Sequence, residues 1–162
     1  MNTSANVYYT NEATPEHLRS LDKPYFSEQK IAQFDEHAQS VVRQQRNYIK
    51  SHPAIAIFRC ATEGSLSRNG GVIQEASASL QFKLENGQTV RAARKGDHVM
   101  YADGSSAHII TGAGEANSNV ALVGSLLSNG DEIINTPQST CVLIAREGVP
   151  MAKDFLPSSE GK

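Results

Sequence analysis

The sequence predicts a mainly β fold: a β domain built from three repeats of about 30 residues, preceded by an α-helical extension. Three observations carry this. Of 12 glycines, none precedes residue 64, so turn-rich grammar begins abruptly. From Ala54 onward, short β-prone runs alternate with turn signals about every ten residues. One stretch of the chain also recurs further along it. The predicted organisation is an N-terminal helical extension over 1–53 and a β domain over 54–162.

The extension is read first. Thr14-Pro15-Glu16 is an N-cap, a first-turn proline and a first-turn acid, predicting a helix from Pro15 to about Leu21 that Pro24 interrupts. A second, longer helix is predicted from Ser27 to His52-Pro53. Its apolar positions Ile31, Phe34, Ala38, Val41, Val42, Tyr48 and Ile49 share one stripe. No catalytic spacing is present, and His17 and His37 stand alone.

In the β part, Ser79 to Leu84 alternates polar and apolar, Asn86-Gly87 follows, and Thr89 to Ala92 returns: a hairpin. Further strands are predicted at His108–Thr111, Asn119–Val123 and Cys141–Ile144.

The repeat aligns residues 61–73 with 121–133 without a gap. Seven positions agree: the alanines 61 and 121, Gly64 and Gly124, Ser65 and Ser125, Leu66 and Leu126, Asn69 and Asn129, Gly70 and Gly130, Ile73 and Ile133. A third copy lies between them, from Ala93 through Gly96 and Asp97 to Ile109, with a longer turn. Copies this short cannot each bury a face, so they must share a core. Gly64, Gly96 and Gly124 allow a bend that a side chain disfavours. Ser65, Asp97 and Ser125 follow and are placed to bond the turn amides. Asn69-Gly70 and Asn129-Gly130 supply positive-φ turn residues.

These residues resemble a known family. Arg91-Ala92-Ala93-Arg94-Lys95-Gly96-Asp97 is similar to the signature of the PAAR-repeat proteins, with Arg91 where the eponymous proline stands. Ala107 to Gly112, Val120 to Ser125 and Asn129 to Ile134 follow in the family's order, and the likeness spans roughly residues 59–156. The resemblance implies a small conical β domain with three-fold pseudo-symmetry. It implies a non-enzymatic spike tip: one copy caps the blunt end of a trimeric VgrG-like β-helical spike, in type VI secretion or a contractile phage tail, and sharpens it. The extension is then an adaptor to the shaft, a chaperone or a cargo effector.

Family members often hold one zinc or iron ion near the tip on histidines and a cysteine. Here Asn69, Tyr101 and Asn129 stand at three of those positions, and His98 and His108 remain as metal-ligand candidates. The expectation is no cofactor, with the asparagines bonding the tip together in place of a metal.

Composition narrows the rest. A net charge of −2 and a pI near 6.2 do not suit a nucleic-acid binder, and the target membrane is expected to be touched only in transit. No classical signal peptide is expected, so export would fall to the contractile machine, or the chain belongs to a virion. Ser105-Ser106 with His108, the glycines of Gly112-Ala113-Gly114, and Cys60 with His52 are weak catalytic patterns, and Cys60 and Cys141 read as two buried thiols. Two alternatives stay open: an effector whose first 52 residues are the toxin, or a small β-fold enzyme or ligand-binding domain using Asp97, His98 and His108.

Overall fold

A computed structural model describes residues 7–156. It shows a small β protein with three helices and short antiparallel pairs. The helices are α1 (Pro15–Leu21), α2 (Glu28–Ala32) and α3 (Glu36–Ser51). The strands are β1 (Ala54–Arg59), β2 (Gln81–Lys83), β3 (Thr89–Arg91), β4 (His98–Met100), β5 (Ser106–His108) and β6 (Val142–Arg146). They pair as β1 with β6, β2 with β3 and β4 with β5. Of the described residues, 7–11, 58–143 and 151–156 form one compact unit, and 12–57 with 144–150 form another. The two units interleave along the chain, because β6 brings it back beside β1.

The helical unit follows its local signals, with one correction. The Thr14 hydroxyl accepts the His17 N–H at 3.0 Å and starts α1. Ser27 caps α2 through the Lys30 N–H. The single helix expected from Ser27 to His52 is instead two. Asp35 is itself an N-cap, its carboxylate accepting the Ala38 N–H at 2.8 Å, and this ends α2 and starts α3. A side chain that bonds its own downstream amides competes with helix continuation. The break turns Phe34 edge-on to Phe26, ring centroids 5.0 Å apart, and Ile31 is fully buried. In the same unit Asp22 pairs with Arg146 at 2.8 Å and accepts the Ala54 N–H at 2.9 Å. Burial pushes the Asp22 carboxyl up, but these bonds outweigh it and hold it below the usual range.

In the other unit, β2 and β3 pair with Phe82 opposite Val90, and Leu84 and Gln88 close the hairpin. Glu85-Asn86-Gly87 forms its loop, and Gly87 has φ +89°.

Three further hairpins dominate this unit, and the same bonds build each. Gly64, Gly96 and Gly124 donate N–H to the carbonyls of Ile73, Ile109 and Ile133, all at 2.8 Å. Those isoleucines donate back to Ser65, Asp97 and Ser125 at 3.0, 2.8 and 2.9 Å. Near the loops, Ser67 donates to Gly71, Tyr101 to Ser105 and Leu127 to Asp131. The middle hairpin, 96–109, is four residues longer than 64–73 and 124–133, and the extra residues lengthen the ladder that forms β4 and β5.

Equivalent residues of these hairpins supply the main core. Ala61, Ala93, Ala121, Ile73, Ile109 and Ile133 are 0–1% exposed and lie in one cluster with Val99, Ala107 and Leu127. Small alanines let the backbones approach, and branched isoleucines fill the centre. A second cluster gathers Cys60, Ala113 and Leu122 with Phe58, Leu143 and Phe155 around it.

Candidate functional site

Two features of the hairpin unit bear on function: the way the hairpins join at their open ends, and the cluster where their loops meet.

At the open ends the chain bends at Gly64, Gly96 and Gly124, with φ of +92°, +98° and +105°, a region where L side chains are strained. The side chain after each glycine closes its bend. Ser65, Asp97 and Ser125 accept the N–H groups of Thr62, Arg94 and Leu122 at 3.0, 2.9 and 2.9 Å. Asp97 also binds Ser77, whose hydroxyl accepts from the Arg94 side chain.

Just before each bend the three segments bond one another in a closed ring. Ala61 donates to Ala121 at 2.8 Å, Ala121 to Ala93 at 2.8 Å, and Ala93 to Ala61 at 2.9 Å. The flanking bridges run around the same circuit: Thr62 with Ala92, Arg94 with Val120, and Leu122 with Cys60. Further out, Arg68 donates to Glu132, Ser128 to His108 and Met100 to Val72, so each hairpin's first arm bonds the second arm of a neighbour.

At the closed ends the loops converge on Asp131, which is 2% exposed. Its carboxylate accepts the Tyr101 hydroxyl at 2.6 Å and the Asn69 N–H at 3.1 Å. The Asn129 side-chain amide donates to the Tyr101 oxygen at 3.1 Å, while its carbonyl accepts the Asp131 N–H at 3.0 Å. Gly71 makes the room: a Cβ there would stand 2.9 Å from the Tyr101 ring and 2.8 Å from the Ser67 hydroxyl. Burial pushes the Asp131 carboxyl up, but hydrogen bonds from Ser67, Tyr101 and the Glu132 and Asn69 N–H groups outweigh it and hold it low. Burial, and then the bond to Asp131, push the Tyr101 phenol up.

Asn69, Tyr101 and Asn129, the positions where the resembled family often places metal ligands, therefore meet in one hydrogen-bonded cluster. Its donors are amides, hydroxyls and one saturated carboxylate. Zinc and iron sites of the expected kind need converging imidazole or thiolate groups, so this set does not fit such an ion. His98 and His108 lie elsewhere, opposite each other on β4 and β5, exposed, with ring centroids 6.1 Å apart. Among the described residues no group of three or more His, Cys, Asp or Glu is placed to hold a metal.

Residues of the weak catalytic patterns make the following contacts. Ser105 donates to Asp103 at 2.6 Å within its turn. His52 Nδ1 lies 2.8 Å from the Glu147 carbonyl oxygen, and Cys60 packs with Cys141. No helix among the described residues is long and apolar enough to cross a membrane.

From sequence, Tyr101 stands only as a departure from a pattern, Asp131 beside Gly130 reads as a carboxylate of a solvated turn, and Ser67 carries no signal; the structure buries Asp131 instead. The signal was a mismatch inside the repeat, where Gly71 in the first copy aligns with Asp131 in the third. The space one copy leaves is filled by Tyr101, and the charge the other adds is bound by it. No protein-family model, curated protein or solved structure matches the chain.

Proposed function

We propose that the chain is a PAAR-like, non-enzymatic tip of a contractile injection machine's spike, with its three hairpins arranged about a pseudo-three-fold axis. The observation that carries the reading is the closed ring through Ala61, Ala121 and Ala93, together with the bend bonds that recur in all three copies. Three like units in one chain present three like faces. That is what a single copy needs to seat on three identical subunits of a trimeric VgrG-like β-helix.

The tip's work is mechanical. A core of alanine and isoleucine, cross-bonded between hairpins, resists shear as the sheath drives the point through a membrane. The Asp131–Tyr101–Asn129 cluster ties the loops where a metal would do so in the family. The protein leaves its cell with the machine, or as part of a virion, and the helical unit is the adaptor for shaft, chaperone or cargo.

Mixing the full chain with purified spike trimers and measuring native mass tests this. One copy per trimer is the expected stoichiometry. A chain that stays monomeric against every spike trimer offered overturns the reading.

A further inference from the structure

The thiols of Cys60 and Cys141 lie outside the loop cluster, and Cys60 joins the ring's flanking bridges through its backbone alone. Cys60 immediately precedes the first copy, and Cys141 follows the third and stands just before β6. The Cys60 N–H donates to the Cys141 carbonyl at 3.1 Å, and Glu147 N–H donates to the Pro53 carbonyl further along, so the two stretches run antiparallel. A buried side chain clamps the pair. Gln138, 2% exposed, donates to the Cys60 and Cys141 carbonyls at 2.8 and 3.2 Å and accepts the Cys141 N–H at 2.7 Å.

A disulfide spans Cα atoms about 4.4–6.8 Å apart, and two residues joined by a backbone hydrogen bond and packed in one cluster are placed for that span. Both cysteines are free thiols and pack together in the second apolar cluster. Their environments differ: Cys60 is 1% exposed, whereas Cys141 is only partly buried. A hydrogen bond from Cys60 draws the Cys141 thiol down to about 7 against the opposing effect of burial, and the same bond, with burial, pushes Cys60 up. A partly buried thiolate beside a shielded resolving thiol is the arrangement that exchange chemistry uses.

We propose that Cys60 and Cys141 form a thiol–disulfide exchange site for disulfides of the glutathione class, and that its product is an internal disulfide fastening the start of the first copy to the end of the third. The Cys141 thiolate attacks one sulfur of glutathione disulfide. That S–S bond breaks, one glutathione leaves as a thiolate, and a mixed disulfide stands on Cys141. Cys60 then loses its proton, attacks the Cys141 sulfur and expels the second glutathione thiolate. Two protein thiols are oxidised, one glutathione disulfide is reduced to two glutathiones, and the released protons pass to them. The closed loop runs from residue 60 to residue 141 and encloses all three hairpins.

This site stands whether or not the spike reading does. The full chain is equilibrated in glutathione buffers of graded poise, its free thiols are counted by alkylation and intact mass, and its melting is recorded. Both thiols should vanish together with loss of two hydrogens and no retained glutathione. The midpoint should rise by about 10 °C, as the closure of so long a loop implies, and dithiothreitol should reverse it. Cys60→Ser should trap one glutathione on Cys141. Two free thiols at the most oxidising poise, glutathione retained on the wild-type chain, or a midpoint unchanged or lowered by oxidation would each overturn the proposal. If Cys60→Ser does not fold, the wild-type titration decides alone.

Discussion

At the scale of single residues, the Tyr101–Asp131 bond couples the second hairpin's loop to the third's, and its pH dependence has a definite sign. The folded Asp131 carboxyl titrates below the unfolded value of about 3.9, so the stability it contributes is whole above about pH 4 and is lost as pH falls through the folded value. The folded Tyr101 phenol titrates above the unfolded value of about 10, so its contribution is whole below that pH and is lost as pH rises through the folded value. Denaturant midpoints measured from pH 2 to 11 should therefore fall at both ends. Asp131→Asn should flatten the acid limb and Tyr101→Phe the alkaline one. Tyr101→Phe should also cost about 2 kcal/mol at neutral pH, because it strips a donor from a buried carboxylate. An acid limb identical in Asp131→Asn and its parent would remove Asp131 from this role.

At the scale of elements, the bends separate backbone strain from crowding. Gly96 has φ +98°, yet a Cβ there would meet nothing within 4 Å. Replacement is thus penalised by conformation alone. Gly96→Ala should lose about 1 kcal/mol and Gly96→Val about 2 kcal/mol or more, the β-branched residue tolerating positive φ least. Equal thermal stability of Gly96→Val and the parent would contradict the bend. Local elements such as this were legible before any coordinates. Thr14-Pro15 starts α1, Asn86-Gly87 turns a hairpin, and the copied Gly-Ser pairs lie at bends, because in each case the determining chemistry sits within four residues. The division of the long helix was not legible from its apolar stripe, which continues through Phe34. Only the cap at Asp35 marks it, and an aspartate reads equally as an exposed helix residue.

At the scale of the whole hairpin unit, what the sequence withheld was convergence. Asp131 meets Tyr101 across 30 residues and Cys60 meets Cys141 across 81, and no local pattern encodes either. A core shared by all three copies has a cooperative consequence. Ile109→Ala, at a fully buried site, should cost about 3 kcal/mol. Amide exchange at Gly64, Gly96 and Gly124, whose N–H groups bond Ile73, Ile109 and Ile133, should then quicken by one common factor. Faster exchange at Gly96 alone would mean that the hairpins open independently. The middle hairpin's four extra residues carry a different consequence on the spike reading. A trimer that grips only the bends finds three seatings, a third of a turn apart and nearly equal in energy. The one long finger then acts as a clock hand, so images of many assembled particles, aligned on the shaft, would sort into three orientations in similar numbers.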